Sequence, residues 1–505
     1  MLTGASGNMG FQAFRMLWER RDRYDIVLLL RPSGKNKKIF RSYEKSAGIV
    51  PFRGSGTAGG DGLKIVWGNA LQRDDVNEAC RGIDWCLHLM ALIPPEADCD
   101  PEMTDLVNRV ATGYIVEAIE AQDPGRIRMV YVGSVAQYGS RLPPVHMGRV
   151  GDPMLSCEYD CYTPTKIAAE LAVMESRIRH WASLRQTFIM IPDIFSLLDP
   201  VMFHQPLNTF MENITLRDAG RALVACLEMR DEPGFWRRCY NLSGGPPCRS
   251  TYLEFLDMIY RMAGIDYRKV MERKWFALRN FHMVFFEDAF LLDRFLHHWE
   301  GGETLEDYCR LVWDAFPWYL KLTGTLSRHF RPFRFLVERI TFGKLKRLAL
   351  RENGPLRWIR AQDREKIRAF YGSPDALNSI PGWDVDMPDL DHGQKYVRLD
   401  HGYDESAQHL ERTDLDKAAA FRGGELLGRE WDGDMYSQLT WSCSRGHRFR
   451  MTPYSVLKGG HWCHRCILSS GTYHETAGKN PFADQVLLIP REDERILESK
   501  QIPEK

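Results

Sequence analysis

The 505-residue sequence contains no run of about 18 uncharged apolar residues, which excludes a transmembrane helix. Met1 to Gly10 carries neither the basic start nor the apolar stretch of a secretory signal. There is no net charge either, since Lys+Arg and Asp+Glu are both 67. Without a global field, nothing steers the whole chain to nucleic acid or an anionic membrane, and any basic patch must be local. No internal repeat is present, and 44% apolar with 27% charged residues excludes a wholly disordered, collagen-like or coiled-coil chain. Cysteines number only twelve, and most stand singly in apolar segments, as Cys86 and Cys226 do. They read as reduced thiols, which predicts a cytoplasmic protein. Only the last three are spaced differently.

At about 150 residues per domain, the length predicts two or three domains. Residues 1–249 alternate aliphatic runs with amphipathic stretches. The strand candidates are Asp25–Leu30, Lys64–Trp67, Trp85–Ala91, Arg128–Gly133 and Ser183–Ile191. The helix candidates are Phe11–Arg21, Asp74–Cys80, Asp105–Ala121, Pro164–Arg177 and Leu216–Glu228. Strand and helix in alternation predict an α/β fold, a Rossmann-type doubly wound parallel sheet covered on both faces. Ser46–Gly62, rich in glycine and serine, reads as a mobile surface loop. Residues 250–371 change to long helical patterns dense in aromatics, including Trp275, Trp299, Trp313, Trp318 and Trp358, and predict an α-helical cap. Residues 372–412, rich in Pro, Gly and Asp, read as a linker or extended wrap. A small β-rich module follows over 413–478, opened by a short helix with Thr413 as N-cap. Residues 479–505 form a charged tail.

Gly4-Ala5-Ser6-Gly7-Asn8-Met9-Gly10 is a GxxGxxG run leading directly into an amphipathic segment. The first glycine makes the tight turn, the next lets backbone N–H groups approach a pyrophosphate, and the last lets helix and strand pack closely. The helix N-terminus then faces the phosphates. Only Met1 and Leu2 with Thr3 precede the first glycine, where a central strand supplies about five residues, so the natural start is expected upstream. After the second strand, where an NAD site places an acid for the ribose 2′-OH, stand Leu30-Arg31-Pro32-Ser33 and then Lys35, Lys37 and Lys38. A guanidinium there pairs with a 2′-phosphate, which predicts NADP(H) over NAD(H).

Tyr162-Thr163-Pro164-Thr165-Lys166 opens a helical pattern with Pro164 in its first turn. Tyr162 and Lys166, at i and i+4, share a helix face. The ammonium is expected to bring the phenol towards neutrality, making it a usable general acid and base. Ser134, in Val132-Gly133-Ser134-Val135-Ala136-Gln137-Tyr138-Gly139, ends a buried strand at the sheet edge where ligands bind.

With GASGNMG, Leu87-His88-Leu89-Met90-Ala91, Asn108, Ser134–Gly139, Tyr162/Lys166, Arg185, Asp218 and Tyr240-Asn241-Leu242, the first half of the chain resembles the extended short-chain dehydrogenase/reductase family, also called the NAD-dependent epimerase/dehydratase family. The resemblance implies that Tyr162 moves the proton, Lys166 binds the nicotinamide ribose and tunes Tyr162, and Ser134 orients the substrate oxygen. Asn108 would position a helix and water near the lysine. Gly4, Ser6, Gly7, Asn8, Met9, Gly10, Arg31, Asn69, Ala91, Tyr162 and Lys166 form the implied cofactor set. Val135-Ala136 replace the Asp-Glu pair of the sugar-nucleotide dehydratases, which argues against dehydration. Arg185 lacks the following Gly-Pro turn, which weakens a nucleotide-sugar substrate. The family often dimerises through the helices near Asn108 and Tyr162, so a homodimer is implied.

The favoured reading is hydride transfer between NADP(H) and a carbonyl or secondary alcohol on a small molecule, lipophilic or ring-shaped. A nucleotide-sugar epimerase and an NADP(H)-sensing scaffold are the alternatives. Asp193–His204 and Trp275–His282 are candidate substrate walls, or simply core of the cap. Residues 326–368 hold thirteen Lys/Arg against four Asp/Glu among many aromatics, a basic amphipathic stretch suited to peripheral membrane contact or to an ordinary solvated face. Cys443 and His447, followed after fifteen residues by Cys463 and Cys466, have the knuckle spacing of a closed structural Zn²⁺ site, with His461 and His464 as runner-up ligands. The stretch resembles zinc-ribbon modules. Arg445, Arg448, Arg450 and Lys458 would permit phosphate contacts, but the neutral chain argues against a nucleic-acid role.

Overall fold

The computed structural model describes residues 1–50, 54–387, 391–393, 395–428, 430–468 and 479–486. Its centre is an eight-stranded sheet of β1 (Leu2–Thr3), β2 (Ile26–Leu30), β3 (Gly56–Gly60), β4 (Leu63–Trp67), β5 (Trp85–His88), β6 (Arg128–Ser134), β7 (His180–Gln186) and β8 (Arg238–Leu242). The strand order is β8-β7-β6-β5-β1-β2-β4-β3, parallel throughout except for the antiparallel β3 edge. Successive side chains of a strand point to opposite faces, so an aliphatic run with both faces covered feeds two cores. Val130 and Val132 of β6 join one with Phe14, Phe40 and Leu223, while Met129 and Tyr131 join the other with Ile115, Ala169 and Val173. Helices Asn8–Trp18, Gly34–Ser46 and Leu216–Ala225 cover the first face; Arg73–Cys80, Ala111–Glu120 and Tyr162–Met174 cover the second. This is the doubly wound parallel arrangement.

Two segments depart from the sequence expectation. Ser46–Gly62 is not a loop throughout: 56–60 pair with 63–67 as a hairpin across Asp61-Gly62, with Gly62 at φ +65°. An Asp-Gly step is a strong two-residue hairpin signal, and it prevails over the glycine-rich composition. Residues 51–53 lie outside the described residues. Lys35, Lys37 and Lys38, for which the sequence pattern predicts no element, lie on helix Gly34–Ser46, whose N-cap Ser33 accepts from the Asn36 amide at 3.2 Å.

The cap is helical, as its periodicity predicts, and packs around Phe203, Trp275, Phe276 and Tyr308. Residues 395–403 wrap back onto the first domain. The Val397 amide donates to the Pro144 carbonyl at 2.8 Å and Arg149 to the Leu399 carbonyl at 2.7 Å. The C-terminal module is a three-stranded antiparallel sheet of Gly424–Leu427, Leu439–Cys443 and Arg448–Met451 beside helix Arg412–Phe421. That helix starts at N-cap Glu411 rather than Thr413, with Asp414 accepting from the Glu411 amide at 2.9 Å. The start of the charged tail is packed: Phe482 and Val486 are buried with Val145 and Leu399. Residues 487–505 lie outside the described residues. No helix among the described residues is long and apolar enough to cross a membrane.

Candidate active site and metal centre

The C-terminal ends of β1, β5 and β6 converge on one edge of the sheet, and the glycine run turns there. Gly4 sits at φ +70°, and a side chain on it would lie 3.0 Å from the Met90 amide nitrogen after β5. A Cβ on Gly10 would come within 2.2 Å of the Gly4 carbonyl, so both positions exclude larger residues sterically. Gly7 caps helix Asn8–Trp18, and Gly7 and Asn8 are exposed at its N-terminus, leaving the positive end of the helix open to an anion. Arg31 is exposed at the end of β2. Asn69, past β4, is engaged locally: its side chain accepts from the Leu71 amide at 3.1 Å and its own amide donates to Asp75 at 2.7 Å.

Asn108 lies on a π-helical turn, Leu106–Val110, inserted between helices Pro101–Asp105 and Ala111–Glu120. Such bulges re-aim a side chain within a helix. Asn108 accepts from the Leu92 amide at 2.7 Å and donates to the Leu92 carbonyl at 3.0 Å, pinning the segment just after Ala91. Its Nδ2 also donates to Thr165 Oγ1 at 3.0 Å, and Thr165 donates to the Tyr162 carbonyl at 2.7 Å. One amide thereby fixes both walls of the site. Buried His88 adds a second tie between β1, β5 and this helix. Thr3 Oγ1 lies 2.7 Å from Nδ1 and Thr112 Oγ1 2.8 Å from Nε2, and burial holds the ring neutral with a pKa of about 3.

Helix Tyr162–Met174 begins where the Asp160 carboxylate accepts from the Tyr162 amide at 3.0 Å and the Thr163 amide at 2.9 Å. Tyr162 is nearly buried, its ring against Ala97 and Ala136, and its hydroxyl lies near enough to the Ser134 side chain for that group to hold its pKa down. Lys166 is buried, donates to the Val132 carbonyl at 2.8 Å and lies 4.4 Å over the Tyr131 ring. The titration differs from the sequence expectation. Burial raises Tyr162 to about 12, opposed by the Ser134 hydrogen bond, and burial lowers Lys166 to about 7, opposed by Glu170. Desolvation of both charged forms outweighs the helix-face proximity of the two groups.

Ser134, Tyr162, Lys166 and Asn108 are thus drawn together, with Gly4–Gly10 and Ala91 on the same sheet edge. Of the candidate substrate walls, Trp275, Phe276 and Phe203 are core, and His204 is buried between Trp358 and Phe370. The far end of the run does reach the site's surroundings. Asn280 bonds Glu158, and His282 lies 3.7 Å from Asp160.

Sequence reasoning missed Glu170, one turn beyond Lys166 on the same helix face. It is fully buried and bound by Arg185 at 2.9 Å, Gln137 at 3.2 Å, Ser183 at 2.5 Å and His461 at 3.0 Å. The i, i+4, i+8 series Tyr162, Lys166, Glu170 was the available signal. His461 therefore serves as a partner of Glu170, apart from the ligand cluster.

In the C-terminal module the donor atoms of Cys443, His447, Cys463 and Cys466 lie within 4.8 Å of one another. Cys443 and Cys466 sulfurs are 3.6 Å apart, and His447 Nδ1 is 3.5 Å from Cys463 and 3.3 Å from Cys466. Tetrahedral Zn²⁺ with ordinary bond lengths needs edges of about 3.8 Å between sulfurs and about 3.6 Å between sulfur and nitrogen. The donor set fits.

No protein-family model and no curated protein matches the chain. Solved structures do. UDP-glucuronic acid 4-epimerase from Bacillus cereus, in complex with UDP-glucuronic acid and NAD, is 16% identical with a TM-score of 0.46, over 64% of this chain and 98% of that one. dTDP-glucose 4,6-dehydratase from Bacillus anthracis, in complex with NAD, is 15% identical with a TM-score of 0.47, over 63% and 96%. A second dTDP-glucose 4,6-dehydratase, from Streptomyces venezuelae with NAD bound, is 16% identical with a TM-score of 0.46, over 66% and 97%. Fold and site together define a Rossmann-type architecture carrying a Ser134, Tyr162 and Lys166 group at the sheet edge.

Proposed function

We propose that the chain is an NADP(H)-dependent oxidoreductase of the extended short-chain dehydrogenase/reductase kind, acting on a carbonyl or secondary alcohol of a small molecule. The observation that carries this reading is buried Tyr162 beside Ser134 at the end of β6, with buried Lys166 one helical turn away. The open N-terminus of helix Asn8–Trp18 would hold the pyrophosphate, and Arg31, where an acid would otherwise stand, would meet a 2′-phosphate. A bound nicotinamide would supply or accept the hydride.

The chain's own residues handle the proton. With its pKa raised, Tyr162 is protonated at neutral pH and poised to give its hydroxyl proton to a carbonyl oxygen as that oxygen gains charge. Ser134 would orient that oxygen through its own hydroxyl. The tyrosinate left behind is the species that nearby Lys166 stabilises, and it recovers a proton from solvent before the next turnover. In oxidation the same proton returns to Tyr162. Apolar Val135 and Ala136 beside the tyrosine provide no acid or base for dehydration. We also propose that Cys443, His447, Cys463 and Cys466 hold a structural Zn²⁺, all four positions being filled by protein.

The test is NADPH oxidation with a ketone panel, alongside cofactor titration by tryptophan fluorescence. Tyr162→Phe should lose turnover by about 10²- to 10⁴-fold while binding NADPH as before. An unchanged rate in that variant, or no NADPH binding by the parent, overturns the reading. Substrate conversion without net NADPH consumption would make it an epimerase. Metal analysis of the purified protein should find a stoichiometric equivalent of zinc that is lost in Cys463→Ala.

A further inference from the structure

Two consecutive helices of the cap, Trp318–His329 and Arg331–Ala349, pack against each other and present an outer face unlike the rest of the molecule. Of the twenty-one exposed large apolar residues among the described residues, eight fall between 318 and 340. On the first helix Trp318, Leu322 and Leu326 repeat at i, i+4 and i+8 and are 76%, 50% and 41% exposed. On the second, Phe335, Leu336 and Ile340 are 66%, 52% and 52% exposed. These are not the side chains that hold the hairpin to the protein. Gly324 and Ser327 face inward, with a Cβ on Gly324 meeting the Trp313 ring at 3.3 Å, and Leu345 and Leu348 enter the cap core.

The charge on this hairpin is one-sided. Residues 317–349 hold eight Lys/Arg and a single acid, Glu338. Glu338 is buried, accepting from the Asp266 amide at 3.1 Å and from Arg334 at 2.8 Å. The outer face thus shows cations only, among them exposed Arg331, Arg339 and Lys344; Arg328 turns back onto the Trp313 ring and the Met262 carbonyl. In a chain with zero net charge this concentration is local. The later part of the basic 326–368 segment behaves differently: Trp358, Ile367 and Phe370 are buried in a core of their own.

We propose that this hairpin face docks onto an anionic lipid surface. Exposed apolar side chains alternating with Lys and Arg, without an outward acid, are what an interfacial helix pair needs: the rings and aliphatic chains enter the headgroup boundary and the cations pair with lipid phosphates. A helix pair lying in the interface plane needs no membrane-spanning segment. Self-association fits the face poorly, because an isologous dimer sets a patch against its own copy and here would bring cation against cation. The inference does not depend on the reductase reading.

The experiment is co-sedimentation of the full chain with vesicles of phosphatidylcholine containing about 30 mol% phosphatidylglycerol, compared with pure phosphatidylcholine, at low and high salt. Binding is expected to the anionic vesicles only and to weaken with salt. The triple variants Trp318→Ser/Phe335→Ser/Ile340→Ser and Arg331→Glu/Arg339→Glu/Lys344→Glu should each reduce it by at least about tenfold, while their far-UV circular dichroism and melting match the parent. Equal binding to both vesicle types, or no binding by a monodisperse parent, overturns the proposal. So does a parent dimer in light scattering that the apolar triple variant dissociates, which would assign the face to a second copy. Salt-sensitive binding to single-stranded RNA with no vesicle binding would likewise overturn it.

Discussion

Lys166→Met should make the protein more stable at neutral pH while removing turnover. The folded chain holds Lys166 at about 7 against an ordinary 10.5, through burial. At about 1.4 kcal/mol per pKa unit, carrying that ammonium inside the fold near pH 7 costs on the order of 4 kcal/mol. Methionine removes this cost but forfeits the hydrogen bond to the Val132 carbonyl, about 1 kcal/mol, and the contact with the Tyr131 ring, about 1 kcal/mol. A net gain of about 2 kcal/mol remains, which is about 4–8 °C in Tm for a domain of some two hundred residues. The sign with pH follows from the folded pKa lying below the unfolded one. Folding expels a proton between about pH 7 and pH 10.5, so the parent's stability rises over that window. The variant's advantage is therefore largest at pH 7 and below and shrinks towards pH 10. Thermal melts of both proteins at pH 6.5, 8 and 9.5 read this directly. A variant melting below the parent at pH 6.5, or an advantage independent of pH, refutes the reasoning.

Glu170→Ala takes from the buried Arg185 guanidinium its carboxylate partner, and breaking a buried pair in this way costs about 3–5 kcal/mol. Urea unfolding should show the loss, and a change below about 1 kcal/mol would contradict it. Gly10→Ala places a methyl group on the Gly4 carbonyl, so fluorescence titration should find NADPH binding abolished; retained binding would show that the turn can move. With the proposed Zn²⁺ in the Cys/His cluster, a chelator should raise hydrogen exchange within 430–468 and also in helix Tyr162–Met174. That helix relies on Ser455 and Thr452 as partners of Glu175 and on His461 as a partner of Glu170. Exchange confined to the module would refute the coupling.

The sheet and most of its helices were legible because their signals are local. Aliphatic runs such as Ile26–Leu30 and Met129–Val132 announce strands buried on both faces, and the glycine run needs only its own spacing. The same holds for the Cys443, His447, Cys463 and Cys466 cluster, whose four donors arrive as two short knuckles. What escaped is decided by partners far away in sequence or by competing local signals. Asp61-Gly62 was outweighed by the glycines around it. The raised Tyr162 pKa comes from Ala97 and Ala136 closing over the ring, and no spacing reports such desolvation. His461 looked like a spare ligand because its partner, Glu170, is 291 residues away.

The position of that partner explains a feature of the site that neither half of the chain explains alone. Tyr162, Lys166 and Glu170 line one face of a helix, and a lysine one turn from a buried carboxylate would ordinarily be held charged by it. Here Glu170 is occupied on both oxygens by Arg185, with Ser183 and Gln137 from the first domain and His461 from the C-terminal module. Its own pKa is pushed far below the carboxylate range, with Arg185 the largest charge opposing its burial. The carboxylate's field is therefore largely spent on Arg185, and only a residue of it opposes the burial of Lys166, whose pKa falls to about 7. Gly459 reinforces this by accepting from Arg185 at 2.5 Å and fixing the guanidinium against Glu170 rather than elsewhere. The C-terminal module thereby bears on the charge state of Lys166 from behind, through the arginine it helps to hold in place.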